Sequence, residues 1–127
     1  MNIVHESDIQ EISRPGRFMK WLITNELTGA NHLSAVLIRV PAGETVKPAH
    51  SHPDGEEVIY IIRGSGRVFI DGQVDPVREG SAVLFPRGSV HMLQNNGQEE
   101  MKVICFFAPP SDLSTYRFHE EVEFPDN

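Results

Sequence analysis

The chain has 127 residues and a mass of 14.3 kDa, the size of one domain. Its 18 Asp and Glu outnumber its 11 Lys and Arg, and the resulting net charge of −7, without any basic run, disfavours nucleic acid as a partner. The single cysteine, Cys105, excludes an intrachain disulfide and a disulfide-stapled secreted fold.

The N-terminal segment is the one place where the sequence predicts a helix. Ser7-Asp8-Ile9-Gln10 has the pattern of a capping box and predicts one or two helical turns before Pro15-Gly16. Beyond residue 16, no window keeps the apolar spacing of an amphipathic helix, which also excludes a helix-turn-helix.

Short apolar segments separated by Gly and Pro turns dominate the rest of the chain. Their enrichment in Val, Ile, Leu and Phe predicts strands. The segments are 17–24, 32–40, 57–62, 67–71, 81–85, 90–94 and 101–108. Asp71-Gly72 predicts a two-residue type I′ hairpin. Strands at intervals of about ten residues predict an all-β sandwich or barrel.

The tail, residues 109–127, is acidic and opens with Pro109-Pro110. It carries apolar side chains that a free tail would leave in water: Tyr116, Phe118, Val122 and Phe124. We treat residues 1–127 as a single domain. Its N-terminal segment, 1–16, and its tail are expected to pack on the barrel or on a partner subunit.

Hydropathy predicts no association with a membrane. The longest apolar runs, 58–62 and 103–108, are far shorter than the ~20 residues that cross a bilayer. The first twenty residues contain Glu6, Asp8 and Glu11 where a signal peptide needs an apolar stretch. We therefore expect a cytoplasmic protein.

Three histidines and a glutamate have the spacing of a metal site. His50 and His52 are two residues apart, so on a strand they point to one face, with Cα atoms about 6–7 Å apart. Glu57 opens the next predicted strand, and His91 begins another that can close the site. Three neutral imidazoles and a carboxylate suit Fe, Mn, Ni, Cu, Co or Zn, whereas Ca and Mg prefer oxygen ligands. On an octahedral ion they leave two positions open.

The same residues belong to two longer patterns. The first is Gly43, His50-x-His52, four residues, Glu57, six residues and Gly64; the second is Gly80-x5-Pro86-x-Gly88-x2-His91-x3-Asn95. Together they resemble the paired motifs of the cupin superfamily, with one departure, since Gly43 precedes His50 by six residues where five is usual.

This resemblance implies a double-stranded β-helix, or jelly-roll, barrel with one metal ion held by His50, His52, Glu57 and His91. It leaves the reaction open, because cupins include dioxygenases, isomerases, epimerases, decarboxylases, lyases and binding proteins that catalyse nothing.

Glu56 and Glu57 are adjacent, and strand parity separates them. Glu57 keeps the six-residue spacing to Gly64 and shares a face with Ile59 and Ile61. A slip of one residue would reverse the faces, so we assign the ligand to Glu57. We expect the inner wall to be apolar, formed by Ile59, Ile61, Leu93 and a Phe or Val from 81–85.

The other polar and aromatic residues have structural interpretations. His5, His32 and His119 lack a partner at ligand spacing, and we interpret Cys105 as a small buried hydrophobe. We place Trp21 and Tyr60 in the core or at a subunit interface, solvated charges at Arg39, Arg63 and Lys102, and Asn95 in a turn with Asn96-Gly97.

Three functions remain open, and each takes a small molecule as ligand. The first is a metal-dependent oxygenase, and the second uses the metal as a Lewis acid for isomerisation, epimerisation or elimination. The third is a binding or sensing protein without catalysis. No catalytic residue is assigned: Glu56 and Tyr60 could act as a base, but their parity places them on the opposite face. An exposed barrel edge and the apolar tail predict a homodimer.

Overall fold

Two antiparallel β-sheets face each other in the computed structural model, which describes residues 2–125. The strands are β1 Ile12–Arg14, β2 Arg17–Ile23, β3 Ser34–Val40, β4 Ala49–Ser51, β5 Glu56–Arg63, β6 Ser65–Ile70, β7 Gln73–Arg78, β8 Ala82–Phe85, β9 His91–Gln94, β10 Met101–Ala108 and β11 Arg117–His119. One sheet has the order β1-β2-β3-β10-β5-β8, and the other β11-β4-β9-β6-β7. This arrangement is the predicted all-β jelly roll.

The core lies between the sheets because side chains alternate along the central strands. In β5, Glu57, Ile59 and Ile61 are buried while their neighbours are exposed, and β10 alternates in the same way. The inward residues of both sheets form one continuous apolar cluster. Its largest fully buried members include Phe107 and Met19. The interior between the sheets is mostly apolar, and its low dielectric constant strengthens every electrostatic contact inside it.

The seven predicted strands are present, with ends within two residues of the prediction. Asp71 and Gly72 have φ values of 47° and 94°, as a type I′ turn requires, and they join β6 to β7. Four strands were not among the predicted segments, β1, β4, β11 and the longest of them, β7. Its polar residues and Pro76 argue against a central strand, and β7 lies at the edge of its sheet, where proline is tolerated.

The helix predicted near the N-terminus is wrong. Residues Glu6–Asp8 form one 3₁₀ turn, and His5, not Ser7, caps it: the Ser7 amide donates to His5 Nδ1 over 3.1 Å. The chain is extended again at Ile9, because β1 pairs with β2 around Pro15-Gly16 and leaves no room for further turns. Two short elements were not predicted, α1 at Asn25–Thr28 and a 3₁₀ turn at Leu113–Thr115. No helix within residues 2–125 has the length and hydrophobicity of a membrane span.

The tail lies along the barrel. β11 pairs with β4, so that Phe118 is opposite His50. Val122 and Phe124 pack against a small buried cluster of Ala49, Phe69 and Met92. The pairing of β11 with β4 places Tyr116 beside His50 and His52. The last two residues of the predicted tail, 126 and 127, lie outside the described residues.

Asn95 fastens the loop between β9 and β10. Its side chain is completely buried and donates to the carbonyl oxygens of Val40 and Glu99 over 2.9 and 2.7 Å. Its carbonyl oxygen accepts from the Gly97 amide over 3.0 Å. The Asn95 side-chain amide therefore holds this loop in place through three hydrogen bonds. The neighbouring Asn96 is exposed.

Replacement of Asn95 should be costly because it removes three hydrogen bonds and leaves the buried Val40 carbonyl oxygen without the Asn95 donor. We expect Asn95→Ala to lower the free energy of unfolding by about 3 kcal/mol. The matched variant Asn96→Ala should change it by less than about 0.5 kcal/mol. Urea denaturation of both variants measures the difference, and equal midpoints would show that the Asn95 hydrogen bonds contribute nothing to the stability of the fold.

Candidate metal centre

The four predicted ligands come together where the two sheets meet. His50 lies on β4 and His91 on β9, directly opposite each other in the register of one sheet. His52 follows β4, and Glu57 reaches across from β5 in the other sheet. All four are buried, and their ligand atoms lie within 4.8 Å of one another. The neighbouring Glu56 is exposed and points away.

Two glycines hold the loop after His52: Gly88 of the second motif, and Gly55 of the turn between His52 and Glu57. The amides of Gly55 and Gly88 both donate to the His52 carbonyl oxygen, over 3.4 and 3.1 Å. A Cβ at Gly55 would approach the Ala108 carbonyl oxygen and the Pro109 ring to 2.9 Å, so a side chain there would push the loop off β10. The second motif thus supports a ligand of the first.

Backbone carbonyls fix the orientation of two imidazoles. His50 Nδ1 lies 3.1 Å from the Pro48 carbonyl oxygen, and His91 Nδ1 lies 3.1 Å from that of Ser89. A carbonyl oxygen can only accept, so each Nδ1 carries a proton and donates it. In the neutral ring, each Nε2 then presents a lone pair to the centre of the cluster, as metal-ligating histidines do.

The Glu57 carboxylate meets these lone pairs at close range. Its Oε1 lies 3.0 Å from His91 Nε2 and 3.1 Å from His52 Nε2. Two acceptors at 3 Å repel each other unless a positive charge, from a proton or a metal ion, lies between them. His52 Nδ1 is buried without a hydrogen-bond partner in the described chain, so no carbonyl fixes its tautomer. The donor set therefore fits a divalent cation.

The buried environment keeps the His50 imidazole neutral and the Glu57 carboxylate ionised, the forms in which both can bind a metal ion. Burial, and then the neighbouring His91, lower the pKa of His50 to about 3, so its imidazole is neutral at neutral pH. Burial alone would raise the pKa of Glu57, but the contacts of its carboxylate with the His52 and His91 rings outweigh burial and lower that pKa below its usual range. Glu57 is therefore an ionised carboxylate in a dry interior.

Aromatic side chains pack against every imidazole. The Phe85 ring stacks on His91 with centroids 4.0 Å apart and planes 2° apart. Tyr116 stacks on His50 at 4.9 Å and meets the edge of His52 at 4.5 Å. From the sequence, Tyr116 was predicted only to belong to a packed tail, and its contact with the histidines was not predicted. The pairing of β11 with β4 brings that residue to the site.

A small chamber of about 30 Å³ adjoins the cluster, room for about two water molecules. Ile59, Leu93 and Phe85 line it as predicted, whereas Ile61 lies in the core behind them. The remaining lining includes apolar side chains and three polar ones, Arg17, Cys105 and Tyr116. Arg17 was not predicted as a site residue, because it belongs to neither motif. It reaches the chamber because the fold places the start of β2 there.

Cys105 and Tyr116 are protonated in this environment. Burial, and then the Glu57 carboxylate, raise the pKa of the Cys105 thiol well above its usual range. The same two causes raise the pKa of Tyr116. Neither group carries charge into the chamber.

The remaining polar candidates lie outside the site. His5 caps the N-terminal turn, and His119 Nε2 lies 3.0 Å from Ser51 Oγ. Arg39 pairs with Glu11 and Glu100 on the surface over 2.8 and 3.0 Å. A separate cleft of about 210 Å³ lies on the other side of His52 and Phe107, between the 53–56 turn and the start of the tail.

Comparisons with known proteins agree with this geometry. The chain is 27% identical to "Polyketide synthase CurC" of Streptomyces cyaneus, over 84% of this chain and 69% of that protein. It is 29% identical to "Protein SchB" of Streptomyces halstedii, over 84% of this chain and 77% of that protein.

Among solved structures, one described as a predicted oxalate decarboxylase from Thermotoga maritima superposes with a TM-score of 0.74. It is 22% identical and covers 84% of this chain and 98% of its own. The polyketide cyclase RemF from Streptomyces resistomycificus superposes with a TM-score of 0.72. It is 23% identical and covers 85% of this chain and 79% of its own. These superpositions show a shared fold.

The family profile described as "Cupin domain" matches residues 36–107, which contain both motifs and all four candidate ligands. Strand order, motif spacing and profile thus lead to one conclusion: the chain belongs to the cupin family.

Proposed function

We propose that the protein holds one divalent transition-metal ion through His50, His52, Glu57 and His91 and acts on a small organic molecule. The observation that carries this proposal is the contact between Glu57 Oε1 and His91 Nε2, two acceptors 3.0 Å apart in a dry interior. A bound metal ion would satisfy both. The donor set suits Fe, Mn, Ni, Zn, Co or Cu.

The reaction class we propose is oxygenation. Outside the four ligands, no carboxylate or imidazole within residues 2–125 lines the chamber, so the chain supplies no separate general base there. Held by the four ligands, a redox-active metal such as iron would supply the electron-transfer chemistry by which dioxygen oxidises the substrate, which provides the electrons. The apolar walls exclude water, and the packed rings hold the imidazoles in place.

Lewis-acid chemistry is the second candidate, and the names of two structural neighbours are compatible with it. The structural neighbours include a polyketide cyclase and a predicted oxalate decarboxylase. In that case the metal ion would stabilise negative charge on the substrate, and a base would have to come from the substrate or from solvent. Binding without turnover is the third candidate. We place the protein in the cytoplasm in each case.

Removal of one imidazole should abolish the site. We expect His91→Ala to lower the metal content at least tenfold and to lower the melting temperature, because it deletes a ligand of the ion and opens a cavity beside Phe85. His32→Ala removes an exposed imidazole and is the matched control. Elemental analysis and thermal melting measure both. One ion per chain in His91→Ala would show that these residues do not form the site.

Oxygen consumption tests the reaction class. Iron-loaded protein is screened with small carboxylic acids and carbonyl compounds in an oxygen electrode, and products are identified by mass spectrometry. We expect uptake that disappears in His91→Ala. Turnover without oxygen uptake, or turnover supported equally by zinc, would instead assign the Lewis-acid class.

We also propose a homodimer through the outer face of β5, β8 and β10. Leu84, Val58 and Phe106 form a row across these strands and are 51%, 40% and 42% exposed. β8 is an edge strand, so its free backbone can pair with β8 of a second copy about a twofold axis.

Leu84→Glu should dissociate this dimer, because it would bury a charge in the interface. Leu27→Glu, on the exposed face of α1, is the matched control. Light scattering after size exclusion reports the mass of each variant. A monomeric wild type, or a Leu84→Glu variant that remains dimeric, would contradict the proposed interface.

A further inference from the structure

Arg17 is a charged side chain inside the barrel. It is 4% exposed and lines the chamber beside Glu57, His91 and Tyr116. Its Nη1 donates to the carbonyl oxygens of Pro15 and Lys47 over 3.1 and 2.9 Å. Burial lowers the pKa of Arg17, but a guanidinium stays protonated in proteins.

Only Nη1 of this guanidinium donates hydrogen bonds to the described chain. Arginine has five N–H donors, and the two carbonyls account for those of Nη1. Nε and Nη2 have no hydrogen-bond partner within residues 2–125, and Arg17 forms no ion pair with any carboxylate there. A cation that is 4% exposed, with three donors that no group of the described chain uses, is stabilised by an anion that pairs with it.

The charge inside the chamber indicates the sign of that ligand. In the metal-loaded site, two charges from the metal ion and one from Arg17 face the single carboxylate of Glu57. The histidines, Cys105 and Tyr116 contribute no negative charge. Two unbalanced positive charges in an apolar interior favour an anion of low charge over any neutral ligand.

We propose that Arg17 is the carboxylate-binding residue of the site, and that the ligand is a small carboxylate whose oxygens accept from Nε and Nη2. The parallel N–H groups of that edge match a carboxylate in a bidentate pair. The chamber volume of about 30 Å³ limits the enclosed part to two or three heavy atoms, the size of a carboxylate group. This inference rests on the proposed metal centre and names its substrate class.

Formate and its neutral isostere formamide test the assignment on zinc-loaded protein, in which no redox turnover occurs. Calorimetry should show that formate binds and formamide does not. Arg17→Gln should weaken formate binding roughly tenfold or more with an unchanged zinc content. Arg63→Gln, which removes an exposed arginine at the end of β5, should leave the affinity unchanged.

A second measurement covers the case in which Arg17→Gln does not fold, since it also loses two backbone contacts. In wild-type protein labelled with ¹³C,¹⁵N-arginine, formate should shift the Nε–H resonance of Arg17, which through-bond correlation to the Arg17 backbone amide assigns. An unmoved resonance, or equal binding of formamide, would overturn the proposal.

The metal content separates this proposal from the one on which it rests. If wild-type protein holds one zinc ion per chain but does not bind formate, Arg17 has no such role and the metal centre stands. If the protein takes up no zinc, the metal centre is wrong. The role of Arg17 then requires formate to bind the metal-free protein in an Arg17-dependent way, and absence of that binding overturns it too.

Discussion

The contact on which the site depends is the one between a buried carboxylate and imidazole nitrogens that the backbone has turned toward it. The Pro48 and Ser89 carbonyl oxygens accept hydrogen bonds from Nδ1 of His50 and His91, which leaves the Nε2 lone pairs of both rings directed into the cluster, that of His91 against Glu57 Oε1. Without a cation between them, the protein would hold mutually repelling groups in its driest region. The same contact joins the two sheets, because Glu57 comes from one and the histidines from the other.

The rest of the barrel keeps that contact dry and in register. Direct pairing of β4 with β9 sets His50 opposite His91, and the alternation of β5 buries Glu57 while it exposes Glu56. Phe85, Phe107 and Tyr116 pack on the imidazole rings. A shift of one residue in any of these strands would turn a ligand to the outer surface.

Local pattern was sufficient to predict seven of the strands and the four residues of the cluster. Parity alone separated Glu57 from Glu56, and Asp71-Gly72 predicted a turn that the φ values confirm. Arg17 and Tyr116 could not be found in the same way, because long-range pairing of β2 and β11 carries them to the site. Edge strand β7, with its proline and polar residues, has no local signal, and the capping-box pattern was overridden by the β1–β2 pairing.

The most direct test of this account is thermal melting of wild-type protein and Glu57→Gln, each with and without one equivalent of zinc. The side-chain amide that this substitution introduces can donate to an imidazole Nε2, so it relieves the repulsion without a cation. We predict that metal-free Glu57→Gln melts above metal-free wild type, and that zinc raises the melting temperature of wild type alone. A wild type that zinc does not stabilise, or a variant that zinc stabilises equally, would contradict a metal centre built around Glu57.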